Sequence, residues 1–307
     1  MRFAPILAVL LSLTAKSSAA GERVGGLRVD CRGERTKAPT VILESGAFGT
    51  ADDWALVLHD LSRGGRVCAY DRGGVGGSAP RAGGTDATAI AEELAGLLDR
   101  LGETAPVILV GHSNGALYVE AFAALWPERV AGLVYVNGVT SNDDAEPLLL
   151  ADLARERRLS NIAADAGALG LASLGAGTVV KAEGLPVEAA ASKRRALSSP
   201  KRLRVARDED RAIIPSLFIT AGLGGSPPSI PTVSIYGGPD SRSPLASAWR
   251  RAEAVPSKQA DRGWTLEAVG ATHVSPLARD RAYVLAAVNW LRSMVPPDTS
   301  PGADIGH

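Results

Sequence analysis

Ser113 lies between two glycines, Gly111 and Gly115, in the stretch VILVGHSNGALYVEAF. The apolar residues before this turn are typical of a buried strand, and those after it are typical of a helix. A serine at such a strand-to-helix turn holds its hydroxyl exposed, and the two glycines relieve crowding between the strand and the helix. The pattern therefore predicts that Ser113 is a nucleophile. A glycine-rich connection without chemistry is the alternative.

A serine hydroxyl is a weak nucleophile until a base removes its proton. The chain has only four histidines. His59 lies in a helix-like stretch, His307 is the last residue, and we expect His112 to point away from the adjacent serine. His273, in the loop GATHVSP between a strand-like and a helix-like segment, is the predicted base.

The base needs a carboxylate that holds its tautomer and stabilises the imidazolium. Asp240, in SIYGGPDS, directly follows a strand-like run and is the favoured acid. The chain order Ser113, Asp240, His273 is that of the α/β-hydrolases. Asp261, Asp143 and Asp144 are the alternatives.

Near-continuous apolar runs alternate with helix-like segments, which indicates a parallel sheet covered on both faces. Strand patterns are missing from about residue 140 to residue 230, where short helix-like pieces predict an insertion into that sheet. The run SKRRALSSPKRLRVARDEDR, residues 192–211, is expected to be a solvated, mixed-charge helix face, with a partner-binding surface as the alternative. The predicted division of the chain is a signal peptide (1–20), a core (21–139 and 231–295), a helical cap (140–230) and a flexible tail (296–307).

The first twenty residues combine Arg2, the apolar run FAPILAVLLSL and the small residues before Gly21. This is the pattern of a secretory signal peptide, and the apolar run is short for a membrane span. We therefore expect a secreted or periplasmic protein without a stable membrane anchor; an uncleaved N-terminal anchor is the alternative. In an oxidising compartment the two cysteines, Cys31 and Cys68, are candidates for a disulfide, and two free thiols are the alternative.

The chain after the leader resembles secreted serine hydrolases of the α/β-hydrolase fold, in the stretches LESGAFGTADDW, VCAYDRGGVGGS, VGHSNGAL, IYGGPD and GATH. The resemblance implies a mostly parallel eight-stranded sheet with helices on both faces and an inserted helical cap. It also implies an oxyanion hole formed by the backbone N–H groups of Ala47, or of Phe48, and of Asn114. Relatives often carry His-Gly at the first of these turns, where this chain has Ser45-Gly46.

The same resemblance implies that the strand ending in Cys31 neighbours the strand carrying Cys68, so that a cross-strand disulfide is expected. A dinucleotide-like pattern, Gly74-x-Gly76-x-x-Ala79, is not expected to bind a cofactor, because the acidic residues about twenty positions on lie within a helix-like segment. The predicted chemistry needs no metal or cofactor, and none is expected.

Lysine plus arginine equals aspartate plus glutamate, 33 each, which argues against nucleic acid as a partner. The predicted activity is hydrolysis of small-molecule carboxylic esters through an acyl-enzyme. The alternatives on the same triad are an amide or aminopeptidase-type hydrolase and a lactone hydrolase. A ligand-binding receptor that retains the pocket is a further alternative. Dehalogenases and epoxide hydrolases of this fold are disfavoured, because they carry Asp at the position of Ser113.

Overall fold

The computed structural model describes residues 21–142, 147–167, 169, 183–197, 199–238 and 243–294. The predicted signal peptide and tail lie outside the described residues, as do parts of the predicted cap. Within the described part of the chain, no helix has both the length and the apolar composition needed to cross a membrane.

Eight strands form one sheet in the described residues. They are β1 (Glu22–Val24), β2 (Leu27–Arg32), β3 (Val41–Glu44), β4 (Val67–Tyr70), β5 (Val107–His112), β6 (Val130–Val136), β7 (Thr232–Gly238) and β8 (Gly263–Val269). Their order across the sheet is β1-β2-β4-β3-β5-β6-β7-β8. The pairings β1–β2 and β2–β4 are antiparallel and all others are parallel. The predicted mostly parallel, eight-stranded sheet is confirmed.

Helices follow most strands and cover both faces of the sheet. They are α1 (Ala55–Leu61), α2 (Ala87–Leu101), α3 (Asn114–Leu125), α4 (Pro147–Ala166), α5 (Val187–Leu197), α6 (Pro200–Arg211), α7 (Ile213–Gly222), α8 (Pro244–Gln259) and α9 (Ala282–Ser293). Side chains of α2, α3 and α7 pack into one apolar layer. Side chains of α1 and α9 pack into a second layer on the opposite face. The sheet therefore has a hydrophobic core on each side.

The helix α2 illustrates how local sequence sets the boundaries of an element. The Asp86 side chain accepts hydrogen bonds from the N–H groups of Thr88 and Ala89, which caps the helix N-terminus. Gly102 ends the helix in the left-handed region, with a φ of 68°. The apolar stripe that predicts this helix is buried at Ile90 and Leu94.

The chain between β6 and β7 contains α4 to α7, here called the β6–β7 helices. The expectation that residues 192–211 form a solvated face is wrong in part. Lys193, Glu209 and Asp210 are buried, whereas Lys201 and Arg204 are exposed. These buried charges pair with groups near the ends of the sheet strands, Asp53, Arg72 and Asn114, which compensates for their removal from water.

Cys31 and Cys68 form a disulfide. They lie directly opposite each other in the antiparallel pair β2–β4, with their Cα atoms 4.1 Å apart. The bridge joins the antiparallel edge of the sheet to its parallel centre.

Candidate active site

Ser113 lies at the carboxyl end of β5, a central strand, and directly before α3. Its φ of 53° and ψ of −125° fall in a region that non-glycine residues rarely adopt. Its N–H donates to the carbonyl of Val136 (3.0 Å) and its carbonyl accepts from the N–H of Val139 (3.1 Å). These contacts hold the strained turn in place and are consistent with a nucleophile elbow.

The glycines around Ser113 allow three chain segments to approach closely. A Cβ at Gly111 would lie 2.6 Å from the Cα of Ala116, and one at Gly115 would lie 2.7 Å from the carbonyl oxygen of Glu44. A Cβ at Gly46 would lie 2.8 Å from the Cβ of Ser113. The strand, the helix and the loop after β3 therefore meet at a distance that only glycine permits.

A cavity of about 520 Å³ opens above this edge of the sheet. Ser113 and His273 both line it, as do Ala47, Phe48 and Asn114. The structure thus brings the predicted nucleophile, base and oxyanion donors to one cavity, although they come from three separate segments of the chain.

The predicted acid, Asp240, lies outside the described residues, and so do the alternatives Asp143 and Asp144. Asp261 precedes β8, at the sheet edge opposite to the one that carries Ser113. Its N–H donates to the carbonyl of Pro228 (2.8 Å). Asp261 is therefore poorly placed to contact His273, which follows β8.

The backbone carbonyl of His273 contacts two side chains. The Nδ2 amide of Asn137 donates to it at 2.9 Å, and Nε2 of His112 also lies 2.9 Å from it. Because a carbonyl oxygen only accepts, the proton of this second bond belongs to His112 Nε2. The rings of His112 and His273 lie 4.8 Å apart between centroids.

The expectation that His112 points away from the site is wrong. The His112 side chain is buried and lines the cavity beside Ser113. A residue adjacent to a strained turn does not keep the simple alternation of a strand, so its direction did not follow from the sequence pattern.

Asn137 is a site residue that sequence reasoning missed. It directly follows β6, is 2% exposed and has a φ of 44°. Its Oδ1 accepts from the N–H of Gly237 (2.7 Å) while its Nδ2 donates to His273. The available signal was a polar residue at the carboxyl end of a buried strand, in the run VYVNG.

Side-chain hydrogen bonds of Ser45 stabilise the loop that carries Ala47. Ser45 Oγ accepts from the indole N–H of Trp54 (3.0 Å) and donates to the carbonyl of Thr50 (2.9 Å). Serine at this position therefore has its own structural role in a chain that lacks the histidine of many relatives.

The Arg72 side chain binds the backbone of the same loop. Its guanidinium donates to the carbonyls of Ser45 (2.6 Å) and Gly46 (3.0 Å). It also pairs with the carboxylates of Glu44 (2.6 Å) and Glu209 (2.9 Å), and all three side chains are fully buried. The loop before the predicted oxyanion donor is thereby fixed to β3 and to α6.

Burial controls the protonation of this cluster. Burial raises the pKa of Glu44 above its usual value, although Arg72 opposes the shift. Burial lowers the pKa of Arg72, but the carboxylates of Glu209 and Glu44 more than offset this and hold it well above its usual value. Arg72 is accordingly a permanent cation within the core.

The β6–β7 helices supply charged groups to the cavity wall. Asp210 lies 3.3 Å from Asn114 Nδ2, and its Oδ2 has no hydrogen-bond partner among the described residues. Burial raises the pKa of Asp210 to about 6, and the nearby Arg157 partly opposes the shift. On the same wall Lys193 pairs with Asp53 (2.5 Å). No group of three or more His, Cys, Asp or Glu side chains in the described residues is arranged to hold a metal ion.

A family model described as alpha/beta hydrolase fold matches residues 39–260. A protein from Pantoea ananatis named putative carbamate hydrolase RutD is 37% identical over 110 residues, which cover 35% of this chain and 39% of that protein. The chain spans well under half of the length of the curated relatives that it matches first.

Solved structures align over most of the chain. The malate-bound thermophilic esterase from Thermogutta terrifontis has a TM-score of 0.63 and 24% identity, covering 87% of this chain and 93% of that one. A putative epoxide hydrolase from Pseudomonas aeruginosa has a TM-score of 0.70 and 19% identity, covering 88% and 94%. At these identities the likeness concerns the fold.

Proposed function

Because the chain belongs to the α/β-hydrolase fold family, we propose that it is a serine hydrolase that cleaves carboxylic esters through an acyl-enzyme. The observation that carries this proposal is the strained backbone of Ser113 at the end of a central strand, in the same cavity as His273. Backbone strain of this kind clusters at active sites, which supports a functional role for Ser113.

In the proposed reaction the Ser113 hydroxyl attacks the ester carbonyl while His273 takes its proton. The N–H groups of Ala47 and Asn114 bind the oxyanion of the tetrahedral intermediate, and α3 presents its positive end to the same charge. His273 then protonates the leaving alcohol, and water activated by the same imidazole hydrolyses the acyl-enzyme. Asp240 is the proposed acid that orients His273.

Labelling with a fluorophosphonate, followed by peptide mapping, tests the nucleophile. We expect the label on Ser113, no label in Ser113→Ala, and a labelling rate at least about 10³-fold lower in His273→Gln. The matched control is His59→Gln, because His59 is exposed and lies outside the cavity. A label on another residue of the folded protein contradicts the proposal.

The acid is tested by the pair Asp240→Asn and Asp261→Asn. We expect the first change to lower kcat by about 10⁴-fold, since it disturbs the tautomer of the base. We expect the second to leave kcat within a factor of two, because Asp261 lies at the opposite sheet edge. The reverse result assigns the acid to Asp261.

A carbamate or amide hydrolase on the same residues is the second candidate. It is favoured by the relative whose name includes carbamate hydrolase, at 37% identity. Rates on matched butyrate esters, butyramides, N-alkyl carbamates and lactones distinguish the candidates. Ester hydrolysis is the main activity if kcat/KM for the ester exceeds the others and disappears in Ser113→Ala.

We also propose that the protein is exported, with Gly21 as its first mature residue. The disulfide between Cys31 and Cys68 supports this, because such bonds persist in oxidising compartments. N-terminal sequencing of the protein recovered outside the cytoplasm is the test. An intact N-terminus on membrane-bound protein indicates the uncleaved anchor instead.

A further inference from the structure

The loop that carries the proposed base is attached to the sheet edge through its backbone. His273 itself is exposed, and its carbonyl oxygen accepts hydrogen bonds from Asn137 Nδ2 and His112 Nε2, each 2.9 Å long. The His273 ring also lies 4.8 Å from the His112 ring between centroids, and the two contacts to its carbonyl fix the loop from which the imidazole projects.

Asn137 is buried and its backbone is hydrogen-bonded to the neighbouring strand. Its N–H donates to the carbonyl of Ile235 (2.8 Å), and the residue is 2% exposed. Its φ of 44° lies in the left-handed region, which asparagine tolerates better than most residues. A side chain on such a backbone has few alternative positions.

The side-chain amide of Asn137 forms one hydrogen bond through its nitrogen and another through its oxygen. The Nδ2 group donates to the loop after β8, and Oδ1 accepts from Gly237 in β7 at 2.7 Å. Gly237 lies three residues before the proposed acid, Asp240. Aspartate has the same shape but, when ionised, lacks the donor, and glutamine has the same groups on a longer stem.

We propose that Asn137 is a positioning residue, which sets the place of the His273 imidazole by joining its loop to the end of β7. The proposal rests on the serine hydrolase function proposed above. Asn137 does not touch the reacting atoms; it acts through His273, and His112 provides the second contact to the same carbonyl.

Displacing a catalytic group by about 1 Å typically lowers the rate about 10²-fold. We therefore expect Asn137→Asp and Asn137→Ala to lower kcat for a butyrate ester between 10-fold and 100-fold, with KM changed less than threefold. The rate of fluorophosphonate labelling at Ser113 falls by a similar factor. Asn137→Asp regains part of the loss at low pH, relative to the wild type, because the protonated carboxyl regains a donor.

A stability-matched control separates positioning from folding. Leu97→Ala removes a buried side chain of α2 in the core, outside the cavity lining. It is expected to lower the free energy of unfolding with kcat unchanged. If the Asn137 variants lose kcat only as much as Leu97→Ala at equal stability, Asn137 has a structural role only and the proposal is wrong.

The His273 ring signals in nuclear magnetic resonance spectra test the proposal without turnover. We expect the signals to shift in Asn137→Asp and to stay in place in Leu97→Ala. Unchanged His273 signals in Asn137→Asp overturn the proposal, whether or not the wild type cleaves esters. Absence of both hydrolysis and labelling in the wild type instead contradicts the proposed function.

Discussion

The Glu209 carboxylate and the Arg72 guanidinium form a fully buried ion pair, 2.9 Å long, between residues 137 positions apart. Glu209 lies on α6, and Arg72 also donates to the carbonyls of Ser45 and Gly46. A single cation therefore joins the β6–β7 helices to the loop that precedes the proposed oxyanion donor.

Arg72→Met should destabilise the protein by about 3–5 kcal/mol, because it leaves Glu44 as a buried carboxyl without its cation and removes one of the two arginines that pair with Glu209, the other being Arg81. It should also lower kcat, since the loop carbonyls lose their donors. Denaturant unfolding and ester kinetics measure the two effects. Arg63→Met is the control, because the Arg63 side chain is 70% exposed in its pair with Asp60. Equal stability of the two variants contradicts the prediction.

Asp210 should make stability depend on pH. Burial raises its pKa to about 6 from an ordinary 3.8, so between these values the folded state retains a proton that the unfolded state releases. This contribution to stability is complete below about pH 4 and is lost as the pH rises through about 6, and it amounts to roughly 3 kcal/mol.

The stability of Asp210→Asn relative to the wild type should therefore increase by that amount from pH 3.5 to pH 7. Urea unfolding of both proteins across this range measures the difference. Arg157 and Glu156 face Asp210 and remain in both proteins. Asp208→Asn, on the same helix, controls for the removal of a carboxyl. A constant difference between Asp210→Asn and the wild type over the whole range shows that burial does not shift this group.

Loss of the disulfide should weaken the fold. The bridge closes a loop with a sequence separation of 37. The chain-entropy relation then predicts that the Cys31→Ser, Cys68→Ser double variant loses about 4 kcal/mol, an upper value for this mechanism. Unfolding of the wild type with and without a reducing agent provides the comparison. If the reducing agent shifts the double variant as much as the wild type, the effect does not come from the disulfide.

Gly111→Ala should destabilise the protein by about 3 kcal/mol, since the added methyl group meets the backbone of α3 and that backbone has no room to move. The matched change is Gly222→Ala at the end of α7, where an added Cβ has no neighbour within 4 Å. That control should be neutral or slightly stabilising. Thermal unfolding of the two variants measures the difference in stability. If Gly111→Ala is as stable as the wild type, β5 and α3 lie farther apart than in this structure.

The sequence predicted the elements that bring Ser113 and His273 together, because their apolar periodicity is local and strand ends meet at one sheet edge. The sequence did not predict that Asn137 contacts His273, although the run VYVNG shows that Asn137 directly follows a strand. The charge run predicts that Glu209 and Asp210 are solvated, because runs of charged residues usually lie on a surface. Their burial depends on Arg72 and Asn114, which are remote in the chain, and no local pattern carries that information.

The backbone at Ser113 has a further consequence. A backbone with φ of 53° and ψ of −125° is unstrained only for glycine. Any other residue in this conformation lowers the stability of the fold by on the order of 1–3 kcal/mol. Under selection for heat tolerance alone, glycine would be favoured at this position, and under the proposed function that change would abolish turnover. If variants selected only for thermal stability keep serine at position 113, that retention would indicate that the proposed reaction is under selection, without any assay of the reaction itself.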